Sequence, residues 1–192
     1  MQRELVTLAT VDALTGLLNR RAFFKSAHEA FARAEAGATL CAIMFDIDRF
    51  KRVNDTHGHD VGDDVIRAVA RAATIEAAVV RPAVVGRLGG EEFATLIEGR
   101  TLSEVRDITE RLRSRMVALR FEATGDDLTV TCSFGAGEWQ AGFAIDRLLK
   151  IADVALYRSK DGGRNRVVVA DAGMPIPAEA RPGSVIRARQ RA

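Results

Sequence analysis

AVVGRLGGEEFATLI, residues 83–97, is the stretch from which the fold and the chemistry of this chain are most readily predicted. The apolar and β-branched residues on either side of Gly89 and Gly90 are typical of two strands. Two adjacent glycines give a turn conformational freedom that other residues lack, and Glu91 and Glu92 follow at once. The stretch predicts a β-hairpin whose turn carries two carboxylates, either as a divalent-cation site or as an ordinary surface turn.

Outside the hairpin, hydrophobic periodicity predicts alternating helices and strands. Residues 40–45 form a continuous apolar run, as expected of a strand buried on both faces, and Asn19 is a good N-cap for a helix that continues to about residue 35. The order of elements predicts an α/β (α+β) sandwich, with a five-stranded mixed central sheet flanked by helices. The remaining expected elements are helices over 60–80, 103–119 and 145–160 and strands over 128–135 and 167–169.

Length and composition exclude several classes of protein. The chain has 192 residues, which suggests one domain, and a net charge of +2, which gives no strong field for nucleic acid. Cys41 and Cys132 lie in apolar runs, so we expect buried free thiols rather than a disulfide or a cysteine-based zinc site. No run reaches transmembrane length and the N-terminus lacks a signal-peptide pattern, so the expectation is a soluble, cytoplasmic chain without a membrane segment.

The two ends of the chain differ in composition from its middle. Residues 1–10 have an apolar side and are expected to be the end of a connecting or dimerisation helix. Residues 11–170 contain all the predicted strands and form the expected domain. Residues 171–192 contain prolines and scattered arginines, which predicts a disordered tail.

Carboxylates stand at the exit of the buried strand. The run 40–45 leads directly into Asp46-Ile47-Asp48, a costly place for charge unless something pairs with it. If this strand lies beside the hairpin, Asp46, Asp48 and the acids of the hairpin belong together. Asp46 and Glu91 would then suit Mg²⁺, which binds one or two carboxylates and shares substrate phosphates. On its own, Asp46 is equally consistent with an aspartate that caps a loop.

Three cations are placed where they could hold phosphates. Lys51 follows Asp46 at short range, and Lys160 and Arg164 flank a glycine-rich turn at the end of a predicted helix. Each could stabilise negative charge on a metal-bound triphosphate. The alternatives are a solvated lysine at 51 and, at 160–164, a helix C-terminus whose cations complement the helix dipole and whose glycine ends the helix.

Asn54 and Asp63 could together recognise guanine. An amide can contact O6 or N7, and a carboxylate can accept from N1–H and the N2 amino group, two donors that adenine lacks at those positions. Taken singly, Asn54 is consistent with a turn residue and Asp63 with an acidic residue favoured in the first turn of a helix.

Together these residues closely resemble the GGDEF family of diguanylate cyclases, in its GGEEF variant. The resemblance covers about residues 10–170 and rests on ordered blocks at compatible spacing. It implies a fold like that of nucleotide cyclases and polymerase palm domains, with an inserted β-hairpin that carries the GGEEF turn. It also implies the condensation of two GTP molecules into cyclic di-GMP with release of two pyrophosphates. The blocks are residues 12–21, 45–51, 54–63, 87–93, 133–135, 152–160 and 163–166.

The resemblance implies a metal centre and a catalytic role for two residues. Asp46, the backbone carbonyl of Ile47 and Glu91 would bind two divalent ions, Mg²⁺ or Mn²⁺. Glu91 would also assist deprotonation of the ribose 3′-hydroxyl, and Lys51 would stabilise charge as pyrophosphate leaves. The family name has aspartate at the position of Glu91, and glutamate there keeps the charge on a longer arm.

The resemblance also assigns the substrate contacts. Asn54 and Asp63 would hold guanine, with His59 as a further contact to the substrate. The residues that would contact the phosphates are Phe50, Lys51, Lys160 and Arg164.

Two departures from the family pattern bear on regulation. Many members carry an Arg-x-x-Asp product-inhibition site before the glycines, but Val80 and Ala83 occupy those positions here, so feedback inhibition through that site is expected to be weak or absent. Members also usually carry an upstream sensor domain, and two catalytic domains must meet face to face. We therefore expect a homodimer and an input domain in a longer protein.

Two other functions would be compatible with parts of this pattern. A catalytically silent GGDEF domain could bind GTP as a regulatory module, although the set of site residues is intact. A related nucleotide cyclase or polymerase palm domain is the second alternative, and the pairing of Asn54 with Asp63 argues against it.

Overall fold

The computed structural model describes residues 10–122 and 128–170. The connecting helix expected over 1–10, apart from Thr10, and the tail expected over 171–192 lie outside the described residues. Five helices and six strands are described in these ranges. The helices are α1 (Arg20–Glu35), α2 (Phe50–His57), α3 (His59–Val79), α4 (Leu102–Val117) and α5 (Ile145–Asp161), and the strands are β1 (Leu18–Asn19), β2 (Leu40–Ile47), β3 (Ala83–Gly89), β4 (Glu92–Glu98), β5 (Cys132–Glu138) and β6 (Val167–Val169).

The strands form one mixed sheet in the order β1-β3-β4-β2-β5-β6. The outer pairs β1–β3 and β5–β6 are parallel, and the inner pairs are antiparallel. The predicted mixed sheet with flanking helices is confirmed, as is the hairpin, which forms two adjacent strands of this sheet. The sheet has six strands rather than five because Leu18–Asn19 pairs with Gly86–Arg87, and a two-residue strand is too short to show an alternating pattern.

Strand β2 is buried along its whole length because helices cover both faces of the sheet. On one face, alternate β2 residues such as Ile43 and Phe45 pack in one hydrophobic cluster with Val65 of α3 and Leu112 of α4. On the other face, the remaining β2 residues pack with α1 and α5. The sheet is therefore the middle layer of three, and the expected burial of the 40–45 run on both faces is confirmed.

Three stacked phenyl rings support the end of β2. The ring of Phe45 lies 5.1 Å from that of Phe93 and 5.2 Å from that of Phe134, measured between centroids. All three rings are fully buried. Because the next residue along β2 is Asp46, this packing fixes the backbone from which the first predicted metal ligand projects.

None of the helices within residues 10–122 and 128–170 is both long and apolar enough to cross a bilayer.

Candidate active site

A buried carboxylate lies at the exit of β2. Asp46 is 6% exposed and lies opposite Glu92 of β4 and Ser133 of β5 in the register of the sheet. Burial raises the pKa of the Asp46 carboxyl from 3.8 to about 6. The nearby Lys160 opposes that rise, and the negative charges of Glu91 and Glu92 add to it. The carboxylate is therefore in a place where a bound cation would be strongly favourable.

Lys160 is the cation that reaches Asp46. Its Nζ lies 2.7 Å from Oδ2 of Asp46, and its side chain is 18% exposed. Lys160 stands near the C-terminus of α5, and a Cβ added at Gly135 of β5 would collide with the backbone of Leu156 and Ala152. The absence of a side chain at Gly135 thus lets α5 lie close against β5 and brings Lys160 within reach of the strand end.

The glycine turn places Glu91 next to the same strand end. The backbone N–H of Ile47 donates to the carbonyl of Glu91 at 3.3 Å. Gly89 and Gly90 have φ values of 150° and 51°, which few other residues would tolerate. Arg87 fixes the turn further, since its Nε donates to the carbonyl of Gly90 at 2.9 Å.

Arg87 also connects the turn to the start of the domain. Its Nη1 lies 3.0 Å from Oδ1 of Asp12, which in turn accepts hydrogen bonds from the backbone N–H and hydroxyl of Thr15. The Arg87 guanidinium and the Thr15 hydrogen bonds outweigh burial and hold the pKa of Asp12 below its usual range. The GGEEF turn and the loop that begins the domain are thus parts of one ionic network.

The donor set at the end of β2 suits a hard divalent cation. Asp46 lies at the end of β2 and Glu91 lies in the turn between β3 and β4, and the negative charge of Glu91 contributes to the raised pKa of Asp46. Among the described residues no group of three or more His, Cys, Asp or Glu side chains could hold a metal ion by itself. A cation that keeps waters and shares substrate phosphates with one or two carboxylates fits this arrangement, and Mg²⁺ is such a cation.

Helices α2 and α3 place Asn54 beside the start of α3. Oδ1 of Asn54 is buried and has no hydrogen-bond partner within the described part of the chain. It lies so close to Gly62 that a Cβ added there would collide with it and would also approach the ring of Phe50. A buried acceptor without a partner is costly, so this oxygen is poised to accept from a ligand. Asp63, one residue after Gly62, is half-exposed, and its Oδ2 lies 4.0 Å from Nη2 of Arg67.

Replacement of Gly62 by alanine tests whether the Asn54 amide contacts the substrate. The added methyl group would displace the Asn54 amide. If Asn54 contacts guanine, as the resemblance implies, the KM for GTP should rise about tenfold, the equivalent of one lost hydrogen bond to a buried group, while kcat changes little. Steady-state kinetics on the variant gives both values. The double variant Gly62→Ala/Asn54→Ala should be no worse than Asn54→Ala alone. Additive losses would show that Gly62 acts independently of Asn54.

The remaining predicted contacts are on the surface around these residues. Lys51 and His59 are exposed on α2 and at the first residue of α3, and Arg164 is exposed in the turn after α5. In the described ranges, no hydrogen bond or ion pair joins these three side chains to Asp46 or Glu91. The structure therefore joins Lys160 to Asp46 by an ion pair and Ile47 to Glu91 by a backbone hydrogen bond at the same strand end. It leaves Lys51, Arg164 and His59 on the surface.

Asp48 has a role that sequence reasoning missed. The sequence suggested that Asp48 would join Asp46 and the hairpin acids, but its oxygens accept from the hydroxyls of Thr131 and Ser133, at 2.8 and 2.6 Å, and from the backbone N–H of Asn165 at 3.1 Å. Asp48 directly follows β2. It thus connects the end of β2 with Thr131 and Ser133, at the start of β5, and with the turn that contains Arg164. Hydroxyl residues in the alternating run before Gly135 were the only signal for this arrangement.

Comparison with known proteins identifies a matching family. Residues 9–166 match the family model described as "Diguanylate cyclase, GGDEF domain". The chain is 37% identical over 163 residues to the diguanylate cyclase DgcP of Pseudomonas aeruginosa, covering 84% of this chain and 24% of DgcP. It is 37% identical over 159 residues to the diguanylate cyclase DosC of Escherichia coli K12, covering 82% of this chain and 34% of DosC. The chain thus spans about a quarter to a third of these relatives.

Solved structures share the fold. The coiled coil and GGDEF domain of DgcB from Caulobacter crescentus, in complex with c-di-GMP, superposes with a TM-score of 0.83 at 39% identity, covering 88% of this chain and 90% of that one. The active GGEEF domain of a diguanylate cyclase from Vibrio cholerae superposes with a TM-score of 0.73 at 32% identity, covering 81% and 98%. The chain therefore shares the overall fold of these two domains.

Proposed function

The chain belongs to the GGDEF family of diguanylate cyclases, and from this membership and the geometry of the site we propose that it condenses two GTP molecules into cyclic di-GMP and two pyrophosphates. The observation that carries the proposal is the meeting of buried Asp46 with Glu91 and Lys160 at one end of β2. The active Vibrio cholerae relative is itself described as a GGEEF domain, and Gly89 to Phe93 have that sequence here. Incubation with GTP and a divalent cation, followed by chromatography of the products, tests the proposal.

Asp46, the Ile47 carbonyl and Glu91 would hold Mg²⁺ or Mn²⁺ in this mechanism, with two ions at each half of the paired site. When bound, such ions stabilise the attacking and leaving oxygens of a phosphoryl transfer. Glu91 assists removal of the proton from the ribose 3′-hydroxyl, which then attacks the α-phosphate of the other GTP. The protein groups at the end of β2 thus serve mainly to position charge around the reacting phosphate.

Three cations and one aromatic residue contact the phosphates in our proposal. Lys160 lies beside Asp46 already, so it can reach a phosphate that shares a cation with that carboxylate. Lys51 and Arg164 approach from α2 and from the turn after α5, and Phe50 begins α2. Their positive charge stabilises the negative charge that develops on pyrophosphate as it leaves.

Guanine lies between α2 and α3 in this proposal. Asn54 offers the unpartnered Oδ1, and Asp63 offers a carboxylate that is accessible enough to accept from a base. His59, the first residue of α3, is a further contact to the substrate. Asp63 can accept from N1–H and the N2 amino group of guanine, two donors that adenine lacks at those positions, and the Asn54 amide can contact O6 or N7, so the pair favours guanine over adenine.

The reaction requires two copies of the domain because each holds one GTP. We propose a homodimer whose sites face each other and whose assembly is driven by an upstream sensor region in a longer protein. The DgcB structure, which includes a coiled coil together with a GGDEF domain, supports an N-terminal helix as the dimerising element.

Product inhibition through the Arg-x-x-Asp surface is expected to be absent. Val80 is buried in the core at 5% exposure and Ala83 begins β3, so neither offers the bidentate cation or the carboxylate that such a site needs. Initial rates measured with added cyclic di-GMP should match those without it, in concentrations up to well above the low micromolar range. Full inhibition at low micromolar cyclic di-GMP, relieved by substitution of Arg81 next to Val80, would show that this surface still binds product.

A further inference from the structure

A basic cleft lies on the side of α2 that faces away from Asn54. Its volume is about 500 Å³, within the range of small-molecule sites. Arg52 lines the cleft, and it is two positions from Asn54, or about 200° around the helix. The turn that contains Arg164 and Asn165 forms the opposite wall. The cleft is therefore separate from the proposed guanine site and adjoins the proposed phosphate end of the substrate.

The charge in this cleft is unbalanced. Arg49, Arg52 and Arg164 line it and are exposed, and no carboxylate of a described residue forms an ion pair with any of them. Asp48 is the acidic residue in the lining, and its oxygens already accept three hydrogen bonds. Three positive charges therefore face one negative charge that is engaged elsewhere, which favours a multiply charged anion.

The walls of the cleft hold unusual backbone conformations. Within the described residues, only Arg49, Arg164 and Asn165 are non-glycine residues with positive φ, at 54°, 66° and 44°, and all three line this cleft. Such conformations cost free energy and cluster at ligand sites. The turn is held in place by Asp48 at the Asn165 N–H and by Arg113, whose Nη1 donates to Oδ1 of Asn165 at 2.9 Å.

We propose that the cleft between α2 and the turn at 163–165 binds a diphosphate group, with Arg52 as its distinguishing ligand. Three guanidinium groups and the hydroxyls of Thr56 and Thr129 provide donors for more than one phosphate. Two sources have this chemistry: free pyrophosphate, and the terminal phosphates of a second GTP molecule. The first source rests on the proposed function, because pyrophosphate is the product released beside Arg164.

Calorimetric titration of the full chain with pyrophosphate, in the absence of GTP and divalent cations, tests the site without requiring turnover. In Arg52→Gln we expect pyrophosphate binding in the cleft to weaken about tenfold, the effect of one lost charged hydrogen bond. Arg71→Gln, an exposed arginine of α3 outside the cleft, is the matched control and should bind as the unsubstituted chain does. Equal pyrophosphate affinity in Arg52→Gln and the unsubstituted chain would overturn the proposal.

Titration with GTP separates the two sources and the two sites. A stoichiometry of one bound GTP but two bound pyrophosphates per chain would identify free pyrophosphate as the occupant of the cleft. Binding of a second GTP that is lost in Arg52→Gln would identify the nucleotide as the occupant. In both cases the first GTP must bind equally well to the variant. If Arg52→Gln weakens the first GTP as much as pyrophosphate, Arg52 belongs to the substrate site and the separate site is refuted. An inactive chain that still shows the Arg52-dependent binding would contradict only the proposed function.

Discussion

Replacement of Glu91 by glutamine is expected to lower the rate of cyclic di-GMP formation on the order of 10³-fold, because the variant loses the carboxylate that we propose to bind the cation and to assist deprotonation. The side chain keeps its length, and the Glu91 carbonyl keeps its hydrogen bond from the Ile47 N–H, so the turn should persist. The measurement is the initial rate of product formation from GTP with Mg²⁺ or Mn²⁺, separated by chromatography.

Glu35→Gln provides the matched control for this experiment. Glu35 is an exposed carboxylate at the end of α1, so the same loss of charge should leave the rate unchanged. The circular dichroism and thermal midpoint of both variants should match those of the unsubstituted chain. Undiminished activity in Glu91→Gln would refute the assignment of the metal centre.

Replacement of Lys160 by methionine is expected to be the second most damaging change. Methionine keeps much of the length of the side chain but leaves buried Asp46 without the cation that lies 2.7 Å away. Activity at neutral pH should fall on the order of 10²-fold, the scale of one lost charge-stabilising contact, because we propose that Lys160 contacts the reacting phosphates. Thermal unfolding should show destabilisation as well, because a buried carboxylate that loses its partner is costly.

The pH dependence of this variant distinguishes loss of charge from loss of structure. Lys160 lowers the pKa of Asp46 against the effect of burial, so its removal should move that pKa above about 6. Asp46 must be ionised to bind a cation. The pH at which activity reaches its plateau should therefore be higher in Lys160→Met than in the unsubstituted chain. A profile that is lowered at every pH without any shift would contradict the proposed effect of Lys160 on Asp46.

Much of the fold could be predicted because the apolar pattern is strong where helices and strands are long. The N-cap at Asn19 is confirmed, since its side chain accepts from the N–H of Ala22 at 3.0 Å. The β2 run and the hairpin were also predicted with close boundaries. The expected strand over 128–135 begins later, at Cys132, because hydroxyl residues at 129, 131 and 133 alternate whether or not they pair with a neighbouring strand.

The elements that could not be predicted are short or depend on distant contacts. Helix α2 has only eight residues, too few to show a clear hydrophobic periodicity. The residue before it, Arg49, has a left-handed backbone conformation. Helix α3, by contrast, was expected over 60–80 and begins one residue earlier, at His59 after Gly58.

In the candidate site, too, local patterns predicted some residues, whereas contacts between distant residues could not be predicted. Asp46, Glu91 and Asn54 were predicted from residue types at strand and turn ends. The contact of Lys160 with Asp46 depends on how closely α5 packs against Gly135, and the hydrogen bonds of Asp48 depend on residues more than 80 positions away in sequence. Neither could be derived from local pattern, because both arise from tertiary packing.

The central claim is that the residues at the end of β2 make this chain a diguanylate cyclase. The most direct test incubates the purified chain with GTP and Mg²⁺ or Mn²⁺ over a range of protein concentrations and separates the products by chromatography. We predict cyclic di-GMP and pyrophosphate, with a rate per chain that rises with protein concentration because two domains must meet. Binding of GTP without any cyclic di-GMP, at concentrations at which the chain is shown to be dimeric, would contradict the claim and support a silent GTP-binding domain.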